Sequence, residues 1–147
     1  MPGTEDVVDR QIRIEAPPEV VFDYFVDPVR MVSWIGTKVE LDAAPGGHFR
    51  VDMNGRDIAS GRFVEVVHPS RVVFSWGWEQ GGAAVPPGSS TVEVTLTPDG
   101  DATIVRLVHR DLPGPTVAPH DEGWAHYLAR LAAVASGHDP GPGEWAG

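Results

Sequence analysis

Cysteine is absent from this chain of 147 residues, which excludes disulfides and thiolate-bound zinc. The absence is compatible with a reducing cytosol. Lysine is almost absent: Lys38 stands alone, so Schiff-base chemistry would rest on one residue of an exposed strand. Positive charge as a whole is scarce. Lys and Arg number 11 against 21 Asp and Glu, leaving a net charge of −10. Such a surface repels phosphate backbones and anionic headgroups, so nucleic acid is not an expected partner. The acidic residues are dispersed along the chain and read as a solvated surface. No window reaches ~18 consecutive apolar residues, and no basic stretch followed by an apolar run opens the sequence. Membrane insertion is not expected, and a cytoplasmic location is. The length fits one domain over residues 7–136, large enough to bury about two-thirds of its unfolded surface. A tail over 1–6 precedes it. The Gly/Pro-rich residues 137–147 are expected to follow as a disordered tail, with Trp145 expected to be exposed.

What the sequence does contain is alternation. Val8, Ile12 and Ile14 alternate with polar residues, a strand wet on one face, and Arg10 breaks its apolar side. Ala16-Pro17-Pro18-Glu19 opens a helix with Val21, Phe22 and Phe25 on its buried side. Asp27-Pro28 interrupts it, and a second short helix is expected over 29–34. From Thr37 the period becomes two. Strands are expected around Val39 and Leu41, over 49–53 and 56–67, and along Val72, Phe74, Trp76 and Trp78. Two more follow, along Val92, Val94 and Leu96, then Thr103, Val105, Leu107 and His109. Residues 79–90, rich in Gly, Ala and Pro, read as a flexible loop.

A last helix over 119–136 follows the Pro113-Gly114-Pro115 breaker. Its Trp124, Tyr127, Leu128, Leu131 and Val134 recur at three- and four-residue spacing, one apolar stripe. At ~1.5 Å per residue it is about 27 Å long, the length of a strand of roughly eight residues. It can lie along the inner face of a curved sheet, and any imperfect fit between them is a pocket.

Turn chemistry sets the expected register. A turn over 98–101 puts Val94 opposite Val105 and Val92 opposite Leu107, and places His109 on the inner face. Asn54-Gly55, read as a two-residue hairpin, puts Val51 opposite Ile58. The Pro69-Ser70 turn puts Phe63 on the face of Phe74 and Trp76. Ile58 and Phe63 then differ in parity, so a β-bulge is expected within about two residues of Gly61.

Several separated motifs carry a family likeness: Pro17-x-Glu19-Val20-Val21-Phe22, Trp34, Pro45-Gly46-Gly47-His48-Phe49-Arg50, Gly61-x-Phe63-x-Glu65-Val66, Arg71-Val72-Val73-Phe74-Ser75-Trp76 and Gly123-Trp124-x-x-x-Leu128-x-x-Leu131. Together they resemble the bacterial SRPBCC (START-like) superfamily, in the branch similar to the C-terminal domain of the activator of Hsp90 ATPase. The likeness runs over residues 7–136. It implies an α+β helix-grip fold: a curved antiparallel β-sheet wrapped around a long C-terminal helix, with two short helices after the first strand. It also implies a mostly apolar cavity between sheet and helix, in a superfamily whose members bind lipids, sterols, polyketides or hormones. Some members are cyclases and some co-chaperones. A separate N-terminal domain like that of the eukaryotic activator is not expected, and neither is direct Hsp90 stimulation.

The best pocket-lining candidates are Trp34, Phe49, Val51, Met53, Phe63, Phe74, Trp76, Trp78, Trp124 and Leu128, which could equally fill a tight core. His109 and His120 are the polar candidates. His109 could orient a ligand carbonyl or act as an acid/base near neutral pH, or be a histidine bonded to backbone or water. Arg10 and Arg62 have one parity that turns them inward, where either could pair a carboxylate, and another that leaves them exposed. Glu122 and His126 sit one turn apart, but no second ligand follows, so neither metal nor cofactor is expected. The expected function is binding of a small hydrophobic or amphipathic molecule, gated by the 79–90 loop and the segment before the last helix. The alternatives are a cyclase, dehydratase or hydrolase using His109, and an Hsp90-related stress-response co-chaperone. Ile104 and Val108, which flank Arg106 on the outer sheet face, could equally form a homodimer contact or be ordinary surface hydrophobes.

Overall fold

The computed structural model describes residues 7–141. The tail assigned to residues 1–6 and the exposure of Trp145 fall outside them. Seven antiparallel strands form one curved sheet in the order β1-β7-β6-β5-β4-β3-β2. The strands are β1 (Val8–Ile14), β2 (Lys38–Leu41), β3 (His48–Asp52), β4 (Ile58–Val67), β5 (Arg71–Trp76), β6 (Ser90–Asp99) and β7 (Ala102–Arg110). Two short helices, α1 (Pro18–Val26) and α2 (Pro28–Met31), follow β1, and α3 (Gly114–Ala135) closes the fold. This is the helix-grip arrangement.

Alternation places the core on the concave face. Val92, Val94 and Leu96 of β6 and Val105, Leu107 and His109 of β7 are all buried. The β6–β7 hairpin is tighter than its Pro98 suggested: Asp99 pairs with Ala102, leaving a two-residue turn. Val92 therefore faces His109 and Val94 faces Leu107. That displacement is two residues, which preserves parity, so every side chain keeps its expected face.

The β3–β4 hairpin differs by one residue, which matters more. Met53 N–H donates to Asp57 O, leaving the three-residue turn Asn54-Gly55-Arg56. The Asn54 side-chain oxygen accepts from the backbone N–H of Arg56 and Asp57, and Asp52 Oδ1 accepts from Gly55 N–H. The asparagine thus folds the loop around itself rather than serving a two-residue turn. Val51 pairs with Ala59, not Ile58, and Ala59, Gly61 and Phe63 share one parity. The irregularity lies after Phe63: Phe63 pairs with Phe74, but Glu65 pairs with Val73. Val64 and Glu65 together oppose Val73, so the bulge is at Val64, one residue outside the expected window. It lets Phe63 and Val66, three positions apart, both face Phe74 and Val72.

On the outer face Arg71 bridges Glu65 and Glu93, Arg110 joins Glu93, and Arg106 pairs Asp9. Hydrogen bonds from Arg71 and Arg110 hold the Glu93 carboxyl below its ordinary range. Ile104 and Val108 sit half-buried among these ions. Arg10 has the inner parity, opposite Leu107, but β1 is an edge strand, and its guanidinium reaches out to Asp121 of α3 at 2.8 Å. Arg62 is exposed and donates to Gly46 O at 2.9 Å.

Helix α1 starts on Pro18, where a missing N–H costs nothing, and Asp27 caps α2 by accepting from Val29 N–H at 2.9 Å. α2 ends at Met31, and Trp34 follows in a turn, its indole N–H donating to Tyr24 O at 2.9 Å. α3 begins five residues before the expected Pro119, at Gly114, with Pro115 in its first turn and Pro119 inside it. Its 22 residues span about 33 Å. It lies along β1 and lays Trp124, Tyr127, Leu128 and Leu131 into the concave face. From its last turns Arg130 donates to Trp34 O at 3.1 Å and to Gly141 O at 2.6 Å, which ties Gly141 back to the helix.

Candidate functional site: a tryptophan-walled pocket

The concave face is filled at one end and open at the other. Phe49 stacks on Phe74 at 4.2 Å, and Phe63 meets both rings edge-on. With Trp34, Val51 and Leu128 these residues form a fully buried interior. A pocket of about 430 Å³ opens where the aromatic row continues past them. Trp76 and Trp78 wall it from β5 and its extension; Trp124, Tyr127, His120 and Pro119 wall it from α3. Ile35 and Met53 complete the apolar part, and Asn54, Asp57 and Gln80 stand on its polar side.

Of the residues singled out from the sequence, the structure brings Met53, Trp76, Trp78, His120 and Trp124 to this pocket. It puts Trp34, Phe49, Val51, Phe63, Phe74, His109 and Leu128 in the packed interior. Sequence reasoning missed Tyr127 although it lay on the stripe, three residues after Trp124. It missed Asn54 and Asp57 because the turn was taken as a two-residue connection. Gln80 and Ala83 come from the 79–90 loop, which is anchored: Val85 is 1% exposed in the core, and Trp78 N–H donates to its carbonyl. A Cβ at Gly77 would meet Pro86 O at 1.7 Å, so only glycine lets this loop cross so closely.

Two indole–imidazole bridges join sheet to helix. Trp124 Nε1–H donates to His109 Nδ1 at 3.0 Å. An indole is only a donor, so Nδ1 is unprotonated and Nε2–H donates to Ser90 Oγ at 2.8 Å. Ser90 in turn donates to Trp76 O at 2.8 Å. His109 is 0% exposed and neutral; burial pushes its pKa down to about 3, with His120 adding to the effect. Both ring nitrogens are committed, so none is left for a substrate. The second bridge has the opposite tautomer. His120 Nδ1–H donates to Thr116 O at 2.7 Å, and its Nε2 accepts from Trp78 Nε1–H at 3.1 Å. Desolvation holds His120 below its ordinary pKa as well. Trp76 Nε1–H, by contrast, is buried without an acceptor in the protein.

At the mouth Asp57 accepts from Asn54 Nδ2 at 2.8 Å and Gln80 Nε2 at 2.6 Å. Its nearest cation, Arg56, is 4.0 Å away and 80% exposed. Glu79 close by is paired with Arg50 at 2.9 Å, which lowers its pKa. Among the described residues no cluster of His, Asp or Glu is arranged to hold a metal ion, and no helix is long and apolar enough to cross a membrane.

Residues 15–136 match the family described as activator of Hsp90 ATPase homolog 1-like protein. The chain belongs to that family. This activator-like domain is 43% identical to an AHSA1-like protein of Rhizobium etli, over 96% of this chain and 88% of that one, with a TM-score of 0.73. It is 27% identical to DynU16, a protein of the dynemicin biosynthetic locus, over 92% of this chain with a TM-score of 0.78. It spans 49% of DynU16. The Aha1 dimer from Colwellia psychrerythraea, 16% identical over 88% of this chain and 96% of that one, shares the fold with a TM-score of 0.77. No curated protein matches the chain. The activator-like family thus supplies the SRPBCC fold, while the pocket's occupant has to be read from its walls.

Proposed function

We propose that this activator-like domain binds a small amphipathic molecule in the tryptophan-walled pocket. The observation that carries the reading is the unfilled space itself. About 430 Å³ stays open between sheet and terminal helix, in the size range of ligand sites, where three indoles converge beside an otherwise solid core. Apolar burial alone falls short of a useful affinity. A ligand hiding ~300 Å² of apolar surface gains roughly 7 kcal/mol, less at least ~4 for lost freedom, whereas micromolar binding needs about 8. The polar side of the mouth therefore has to contribute.

A chemical role for His109 is disfavoured by the same geometry. It does not line the pocket, and protonating Nδ1 would break the Trp124 bond. The outer face is a mixed surface, with ion pairs running across β4 to β7 beside exposed Val64 and Val67, and it does not single out a co-chaperone partner.

Isothermal titration with a panel of amphipathic metabolites tests the proposal, with native mass spectrometry of the freshly purified protein alongside. At least one saturable one-to-one interaction is expected, weakened by Trp78→Ala. A panel without any such interaction, on protein that carries no bound molecule, overturns it.

A further inference from the structure

The walls and mouth of the pocket agree in the sign of charge they favour. Trp76 meets Trp78 at 5.4 Å and 85°, and meets Trp124 at 5.2 Å and 51°. Three indoles in different planes thus converge on one opening, and the face of such a ring is negative. Among the described residues no lysine or arginine lines the pocket. The basic side chain on its wall, His120, has Nδ1–H spent on Thr116 O and Nε2 on the Trp78 indole, so it offers a ligand anion neither charge nor donor.

The mouth carries a carboxylate instead. Asp57, 43% exposed, has both oxygens held by the side-chain amides of Asn54 and Gln80. Two neutral amides fix its position without neutralising it, while Arg56 reaches only 4.0 Å and stands in water. The molecule's net charge of −10 adds a field that draws cations and repels anions. We infer that the pocket takes an amphipathic organic cation, with an apolar or aromatic body among Trp76, Trp78 and Trp124 and a protonated or quaternary amine beside Asp57. The inference rests on the pocket being a binding site and adds the charge class of its occupant.

Calorimetry with three probes of one shape tests both levels separately: (2-naphthylmethyl)trimethylammonium, 2-naphthylmethanol and 2-naphthoate. The ammonium is expected to bind about tenfold more tightly than the alcohol, and the carboxylate most weakly. The ammonium's advantage should shrink severalfold between low and high salt. Asp57→Asn should abolish the preference for ammonium over alcohol, the ratio of the two affinities within each protein being the readout. Gln80→Lys, which sets a cation beside Asp57 without altering it, should do the same. Equal binding of ammonium and alcohol by the native protein, or tighter binding of naphthoate, overturns the charge assignment but leaves the pocket. Failure of all three probes overturns both. A free amine and the choline headgroup of a lipid share this chemistry. Phosphatidylcholine vesicles that displace the ammonium probe assign the lipid source, and vesicles that leave it bound assign the free amine.

Discussion

Acidification should weaken this protein through one buried imidazole before its carboxylates respond. His109 is neutral in the fold with its pKa near 3, against about 6.5 in an unfolded chain. Between those values the unfolded state binds one more proton than the native state, so stability rises with pH across that window. Above about pH 6.5 the residue carries no penalty. As pH falls below it, each unit removes about 1.4 kcal/mol, and the full gap to pH 3 corresponds to about 5 kcal/mol. That is a large part of the 5–15 kcal/mol that holds a typical domain folded. His120 acts in the same direction, so the total slope near pH 5 should lie between one proton and two. Asp9, Glu79, Glu93 and Asp121 have lowered pKa values, and their contribution is full well above their unfolded pKa values and lost only below about pH 5. Urea unfolding between pH 7.5 and 5.0 therefore isolates the imidazoles. His109→Gln should be less stable at pH 7.5 yet show a slope smaller by about 1.4 kcal/mol per pH unit. Imidazole nitrogen shifts should show His109 protonated at Nε2 and unresponsive down to pH 5. Equal slopes in the two proteins, or a His109 titration between pH 6 and 7, would refute the reasoning.

Two further outcomes follow from the site. Trp124→Phe strands His109 Nδ1 in a dry interior, an expected loss of about 1–3 kcal/mol beyond that of the smaller ring. Trp76→Phe removes an indole N–H that has no acceptor and should cost only its lost volume, so equal destabilisation of the two variants in thermal melts would contradict the hydrogen-bond assignment. Gly77→Ala drives a methyl into Pro86 O and should release the loop that seats Val85. Hydrogen exchange should then show lost protection at Trp78, whose N–H bonds Val85 O; unchanged protection there would mean the crossing is looser than described.

The fold was largely readable because parity survives most errors. The β6–β7 register was displaced by two residues, which leaves His109 and its neighbours on the inner face. The β3–β4 turn was displaced by one, and there the argument failed: Ala59 rather than Ile58 faces inward, and the bulge inferred from their conflict sits at Val64. Asn54-Gly55 carries two readings, a mirror-image turn or a side-chain-folded loop, and only Asp52 and Asp57 around it decide between them. Pro119 misled differently. Proline is commonest in a first turn, yet here the helix already runs from Gly114. The aromatic half of the pocket was visible as the row Trp76, Trp78, Trp124. Where solid core ends and open space begins depends on how far α3 reaches along β1, which no local pattern encodes.

The two imidazoles, their rings 5.1 Å apart on the sheet–helix seam, constrain the route by which anything gets in. Lifting the first turns of α3 off the sheet would tear both the Trp78–His120 and the Trp124–His109 links and bare a dry ring nitrogen. Swinging aside the side chains of Met53 and Gln80 on the other rim breaks only the amide contact with Asp57. Guests should therefore arrive over the hairpin side, with the helix standing as the fixed jamb of the doorway.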